Sequence, residues 1–393
     1  MTAKKIFSVA YNGDFVPYMK EVVEKYHEHI AEVYFPLPAD VLPNARGSNE
    51  IMNTKHIMDL CFCLQKFNIR PVGLFNSVWT PIEVYSNEYM SYALDRIEEL
   101  FDAGMTKLIV NNYYLISTGI IKNSIKGLEI TASINSRHDT PDKVLAHVAF
   151  NSPTHVYLDR SFNRKLTEFD NVVASLNELG IESSVLVNEG CLYNCPFKTD
   201  HDNQISMASY GGHDFLNYSA RIASNYPKIN ENLSRLNIDS GCGRVYKTNP
   251  WYLLKSPFIR PEDLDRYLGG ATYAKIAGRN RSTEWIANVV KAYVDRSYDG
   301  SIVDLIDVAD VDTIAPEPFA NKKLGGLLKL NGDCHKVCMS CGKCKKYFDE
   351  VCLGGESSQL TIDDIAPVDA QIRANIEKLN ESEANKNGNG NSD

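Results

Sequence analysis

No run of about 18 apolar residues occurs in this chain of 393, so a membrane-spanning helix is not expected. The opening MTAKKIFSVAYNGDF has two lysines but no long apolar stretch and no small-residue cleavage site. It reads as a first strand rather than a signal peptide, which sets the expectation of a cytoplasmic protein. Basic residues are outnumbered 41 to 50, for a net charge of −9. The broad positive field of a non-specific nucleic-acid binder is therefore missing, although a local basic stripe for a structured RNA is not excluded. Also absent are a Gly-x-Gly-x-x-Gly after the first strand, a Ser-His-Asp ordering, a His-Glu-x-x-His pair and a phosphate-binding glycine loop. These absences count against familiar hydrolase and nucleotide chemistry. No internal repeat is present.

The residues that are there describe a globular chain, 44% hydrophobic and 23% charged. Short β-branched or aromatic runs alternate with amphipathic stretches. Candidate strands are Lys5–Ala10, Glu32–Phe35, Pro71–Phe75, Lys107–Val110, Glu129–Ser133, His155–Asp159, Ser184–Val187, Tyr252–Lys255 and Tyr273–Ile276. Helical patterns lie between them, among them Phe15–His27, Glu50–Phe67, Asn87–Phe101 and Lys165–Leu179, with Thr283–Tyr298 after the last strand. Strand–helix alternation of this kind implies parallel strands and crossover helices, and about eight units favour an α/β fold of the (β/α)8 TIM-like barrel type. Residues 1–312 are assigned to the barrel. The Pro-containing stretch 313–326 reads as a linker, 327–360 as a small cysteine-rich metal-binding module, and 361–393 as an extension, disordered from about 380.

Ten cysteines are more than packing needs, and clustered thiols in a reducing compartment more often bind metal or do chemistry. Cys334, Cys338, Cys341 and Cys344, separated by three, two and two residues, can converge on one zinc ion or one iron–sulfur cluster, and spacing alone does not choose between them. Free surface thiols are the bland alternative. The Cys-x-x-x-Cys-x-x-Cys part also has radical-SAM spacing, but it lies far from a first barrel strand. The four thiols share one short segment, so a second metal site independent of the barrel is expected there. A second group, NEGCLYNCPFKTDH, places Cys191 and Cys195 directly after a strand, at the rim where barrels keep their chemistry. Cys242 is a candidate third ligand, with Cys61, Cys63, Cys352 or a non-protein group as the fourth. Small apolar packing thiols remain the alternative for Cys191 and Cys195, and a core role is the plainer reading of Cys61 and Cys63.

The segment NEGCLYNCPFK and the run KSPFIRPEDLDRYLGGATYAKIAGRNRSTEWIANVVKAY resemble the collagenase-like peptidase family U32, over roughly residues 100 to 300. The Lys-Ile-x-Gly-Arg element, Lys275 to Arg279, is the most specific part. The resemblance implies either a protease or a 4Fe–4S protein supporting oxygen-independent hydroxylation of a small molecule or RNA. It implies that Cys191, Cys195 and Cys242 are cluster ligands. The family's His-Gly-x-x-Cys segment is missing, since the corresponding strand ends in Asn188-Glu189-Gly190, and the Cys334–Cys352 appendage is an addition.

Strand-end polar residues supply the rest of the expected site. Asp159, Glu189, Lys275 and Arg279 are the candidate catalytic groups. Arg160 and Arg279 suit an anionic substrate because a guanidinium grips a carboxylate or phosphate with two parallel bonds. Structural ion pairing at the rim is the alternative for each. The leading expectation is an iron–sulfur oxidoreductase or hydroxylase acting on a small molecule, peptide or RNA, served by an electron donor or partner protein. A U32-type peptidase and a zinc-binding, non-catalytic partner subunit are the alternatives.

Overall fold

The computed structural model describes residues 5–38, 52–208, 241–308, 314–334 and 341–354. Eight of the nine strand-like runs become parallel strands: β1 Phe7–Ala10, β2 Ile30–Pro36, β3 Arg70–Phe75, β4 Lys107–Val110, β5 Glu129–Ala132, β6 His155–Tyr157, β7 Glu182–Leu186 and β8 Tyr273–Ile276. Their order is β5-β4-β3-β2-β1-β8-β7-β6, so the last strand pairs with the first and the sheet curls into a (β/α)8 TIM-like barrel. No ladder is formed between β5 and β6. There the wall is bridged by the Thr131 hydroxyl, which donates to the His155 carbonyl at 2.5 Å.

The helices sit where capping chemistry starts them. Thr140 caps Pro141–Asn151 through its side chain with Pro at the first turn, and Ser282 caps Thr283–Asp295 in the same way. The stretch Tyr252–Lys255, expected as a strand, is instead part of a 3-10 turn over Pro250–Lys255. Pro250 lacks the N–H that a strand ladder needs, and β8 already occupies the place beside β1. The Trp251 and Tyr252 ring centres lie 4.1 Å apart with the planes tilted by 35°, and Lys255 lies over the Tyr252 ring at 4.4 Å.

Burial falls into two clusters, as a barrel requires. A large one lies between strands and helices, and a small one of Ala10, Tyr34, Val72, Leu74, Ile109 and Tyr157 fills the barrel interior. Below this small cluster, at the strand starts, the interior is charged. Glu32 accepts from Lys107 at 2.8 Å, from Arg70 at 2.7 Å and from the Tyr157 hydroxyl at 3.2 Å, and Lys107 also lies 2.7 Å from His155 Nδ1.

The C-terminal residues return to the barrel. In the stretch expected as a linker, Ile314, Phe319 and Leu324 are buried. The Asn331 amide then donates to the Leu254 carbonyl at 2.5 Å. The helix Lys343–Tyr347 and the π turn Phe348–Cys352 pack on this stretch, Phe348 against Phe319 at 5.4 Å between ring centres. Cys338 and the polar tail from 361 lie outside the described residues. Among the described residues no helix is long and apolar enough to cross a membrane.

Candidate active site at the barrel mouth

The strands end on polar side chains that gather at one rim. Asn188, two residues past β7, accepts from the Ala277 N–H at 2.8 Å and donates to the Ala277 and Leu305 carbonyls. It thereby fixes the exit of β7 against that of β8. The next residue, Glu189, is only 2% exposed. One of its carboxylate oxygens lies 2.7 Å from Arg160 Nη1, and the other accepts from the Cys191 N–H at 3.3 Å. A single carboxylate therefore ties the loop after β6 to the thiol-bearing loop after β7. Arg160 also donates to the Asn135 side chain at 3.1 Å, reaching across the β5–β6 gap. Burial works against the charge of Arg160, but Glu189 and then Asp159 outweigh it and raise its pKa above the ordinary arginine value.

A pocket opens over these residues, lined by the loops after β5, β6 and β7. Asp159 and Arg160 line it, as do Cys191 and Cys195. Asp159 has a structural duty too, accepting from the Ser161 N–H at 2.8 Å at the start of the turn Arg160–Arg164. Tyr193 lies between the two cysteines. Burial pushes its hydroxyl up to about 12; Arg164 opposes this and the Cys334 thiol adds to it. Sequence reasoning missed several lining residues, among them Arg137, Asp139, Ser161, Lys198 and Asp202. For Arg137, Asp139 and Ser161 the only signal was position after a strand end, while Lys198 and Asp202 lie on the helix Lys198–Ala208. Arg137 sits at φ +56°, and its Nη2 is buried without a hydrogen-bond partner among the described residues.

The remaining expected residues are placed differently. Cys242 starts the helix Cys242–Thr248, whose Tyr246 donates to the Gly190 carbonyl at 2.7 Å, next to Cys191. Lys275 lies inside the barrel on β8, its amine 3.9 Å from the Tyr34 ring centre and 4.4 Å from that of Tyr157. Burial, helped by Arg279 and Lys107, lowers its pKa to about 7, against the pull of Glu32. Arg279 is buried just beyond the end of β8 and is not among the pocket-lining residues. Cys61 is buried in the outer core on the helix Thr54–Lys66, and burial pushes its thiol up to about 12. Cys63 is half-buried on the same helix. Cys352 is buried behind Phe348, its thiol pushed up to about 11. The Cys334 N–H donates to the Arg164 carbonyl at 3.2 Å, whereas Cys344 is on the helix Lys343–Tyr347, with Cys341 two residues before that helix.

Cys191 and Cys195 share one loop of the pocket, and Cys242 belongs to a helix bonded to that loop. Among the described residues, no three His, Cys, Asp or Glu side chains stand together as a metal-holding group.

No family model matches the chain. Over 360 residues it is 27% identical to an uncharacterized protease of Methanocaldococcus jannaschii, covering 88% of this chain and 98% of that one. Among solved structures, a U32 peptidase aligns with TM-score 0.41 and 15% identity over 53% of this chain and 78% of its own. An O-GlcNAc hydrolase mutant of Thermobaculum terrenum aligns with TM-score 0.34 and 10% identity over 89% and 94%. Both scores are low, and the barrel assignment rests on the strand order itself. The sequence similarity to the archaeal protease spans 88% of this chain and 98% of that one, and the chain is thus similar to a protein named as a protease.

Proposed function

We propose that this chain is an iron–sulfur enzyme of the U32 type, an oxidoreductase or hydroxylase working at the barrel mouth on a substrate that carries an anionic group. The observation behind this reading is the buried Arg160–Glu189 pair, bonded directly to the Cys191 backbone in a pocket that Cys195 also lines. Cys191, Cys195 and Cys242 would hold the cluster, which supplies one-electron transfer or a Lewis-acidic iron. The chain's own residues do the binding. Arg137 and Lys198, the latter paired with Asp202, line the pocket with cationic groups, while Glu189 fixes the guanidinium of Arg160 relative to the thiol loop.

The test is strictly anaerobic purification followed by visible spectroscopy and iron and sulfide analysis. A brown protein with iron and sulfide in equal amounts is expected; a colourless, iron-free protein overturns the reading. The name of the archaeal relative favours a second reading, peptide hydrolysis. Incubating the same preparation with a broad peptide library decides it, and cleavage by iron-free protein would establish the peptidase in place of the redox enzyme.

A further inference from the structure

We propose that Lys275 is a covalent attachment point, whose amine condenses with a short-chain aldehyde or ketone entering the barrel from the mouth to give an imine. This activity belongs to the barrel interior, not to the cysteine-lined pocket, and it needs no metal.

Two lysines of the barrel interior are held in opposite ways. Lys107 is fully buried and saturated with partners: its amine donates to Glu32 at 2.8 Å, lies 2.7 Å from His155 Nδ1 and has Glu129 at 3.4 Å. Such partners are what a structural buried ammonium requires. Lys275 has none of them. Its amine makes no hydrogen bond or ion pair among the described residues and meets only ring faces, 3.9 Å from the centre of Tyr34 and 4.4 Å from that of Tyr157. Both rings are tied at their hydroxyls, Tyr34 donating to the Ile276 carbonyl at 2.7 Å and Tyr157 to Glu32 at 3.2 Å. The amine therefore sits in a fixed slot. Methionine would fill that slot with no charge to desolvate, so packing alone does not call for lysine.

Imine formation needs a neutral amine, a way in and a partner for the departing oxygen. Burial, against the pull of Glu32 and with help from Arg279 and Lys107, lowers the pKa of Lys275 to about 7. About half of the molecules thus carry a free lone pair at neutral pH, against about one in 2,500 for an ordinary lysine. Lys275 also keeps 7% of its surface accessible. The wall above it is built of small side chains: Ala10 on the adjacent β1, and Ala277, half-buried, two positions further along its own strand. Ser8 pairs in register with Lys275 across β1 and β8. It is fully buried, and its hydroxyl has no hydrogen-bond partner among the described residues. That hydroxyl is the group at this level with a bond to offer the carbonyl oxygen.

In the reaction the amine lone pair attacks the carbonyl carbon and a C–N bond forms. The oxygen then takes up the two amine protons and leaves as water, so neither oxidant nor reductant is consumed. Once protonated, the imine carries a positive charge that the two ring faces and the field of Glu32 stabilise.

The experiment uses the full-length protein with propionaldehyde or glyoxylate and sodium cyanoborohydride, which reduces an imine to a stable secondary amine. Adducts are located by peptide mass spectrometry, which also separates the N-terminal amine, itself partly neutral near pH 7. Formaldehyde serves as the control for size. At pH 7 Lys275 is expected to be labelled at least about tenfold faster than exposed lysines. Its rate should level off above about pH 8, while theirs climbs on towards about pH 10.4. Lys275→Met, its fold checked by circular dichroism, should lose that one adduct and no other. Labelling confined to exposed lysines and the N-terminus, with Lys275 untouched at pH 8, overturns the proposal. Labelling of Lys275 by formaldehyde alone overturns it too, because the barrel then admits no carbonyl compound large enough to be a substrate.

Discussion

Replacing Lys275 with methionine should make the protein more stable at neutral pH, and the gain should shrink as pH rises. The amine lies inside the barrel between two tyrosine rings, and burial lowers its pKa from 10.5 to about 7. In the unfolded chain it regains the ordinary value, so between these limits the unfolded state binds more protons and stability rises with pH. At ~1.4 kcal/mol per tenfold change in proton affinity, charging Lys275 in the folded state costs ~5 kcal/mol. That penalty is present in full below pH 7 and gone above pH 10.5. Between pH 6 and pH 9 it falls by ~2–3 kcal/mol. Methionine keeps most of the volume and gives up the contacts with Tyr34 and Tyr157, worth ~2 kcal/mol at most. The net gain is ~3 kcal/mol at pH 6, shrinking towards zero by pH 9. Urea denaturation of wild type and Lys275→Met at pH 6, 7.5 and 9 measures it, and taking the difference cancels groups common to both. Equal pH slopes for the two proteins would falsify the assignment of a neutral-range amine inside the barrel.

Other perturbations test the frame around the site. Burial disfavours the charge on Glu32, but Lys107, His155 and Arg70 outweigh it and hold the pKa at about 2. Its stabilising contribution is thus complete above pH 4.5 and lost as pH falls toward 2. Glu32→Gln should cost ~3 kcal/mol at pH 7 by leaving the buried Lys107 with only Glu129, 3.4 Å away, as a carboxylate partner, and it should flatten acid unfolding followed by circular dichroism. Unchanged acid unfolding would show that the charged barrel floor contributes little. Gly278 has φ +137°, and a Cβ there would lie 2.4 Å from the Trp285 ring. Gly278→Ala should therefore lower the denaturation midpoint by an amount corresponding to ~1–3 kcal/mol, and an unaffected midpoint would mean that Trp285 moves aside freely.

The strands were legible because each is a short β-branched or aromatic run bounded by turn residues, and the caps at Thr140 and Ser282 announced their helices. The rim positions of Asp159, Glu189, Cys191 and Cys195 followed from lying just past strand ends. The charged barrel floor was not legible in the same way. Glu32 and Lys107 begin strand-like runs, where a charged residue ordinarily marks the exposed start of a strand; only closure of the barrel buries them together. Arg137 was missed for a similar reason, since its place in the pocket depends on a left-handed backbone turn that no local pattern encodes. The docking of residues 332–334 depends on a glycine fitting against Leu166, a contact between segments more than 160 residues apart.

The gap between β5 and β6 bears on how the pocket can move. Its walls come from the loops after β5, β6 and β7, so the gap runs beneath the cavity, with Arg137 and Asp139 on one side and Asp159 and Ser161 on the other. Elsewhere around the barrel, separating adjacent strands means breaking a backbone ladder. Here the described bonds across the line come from side chains, among them Thr154 to Glu129 and Thr131 to His155 lower down and Arg160 to Asn135 at the rim. Side chains can re-form such bonds after small displacements, so the barrel resembles a split ring. Its opening can widen around a guest while the seven laddered strand pairs keep their register.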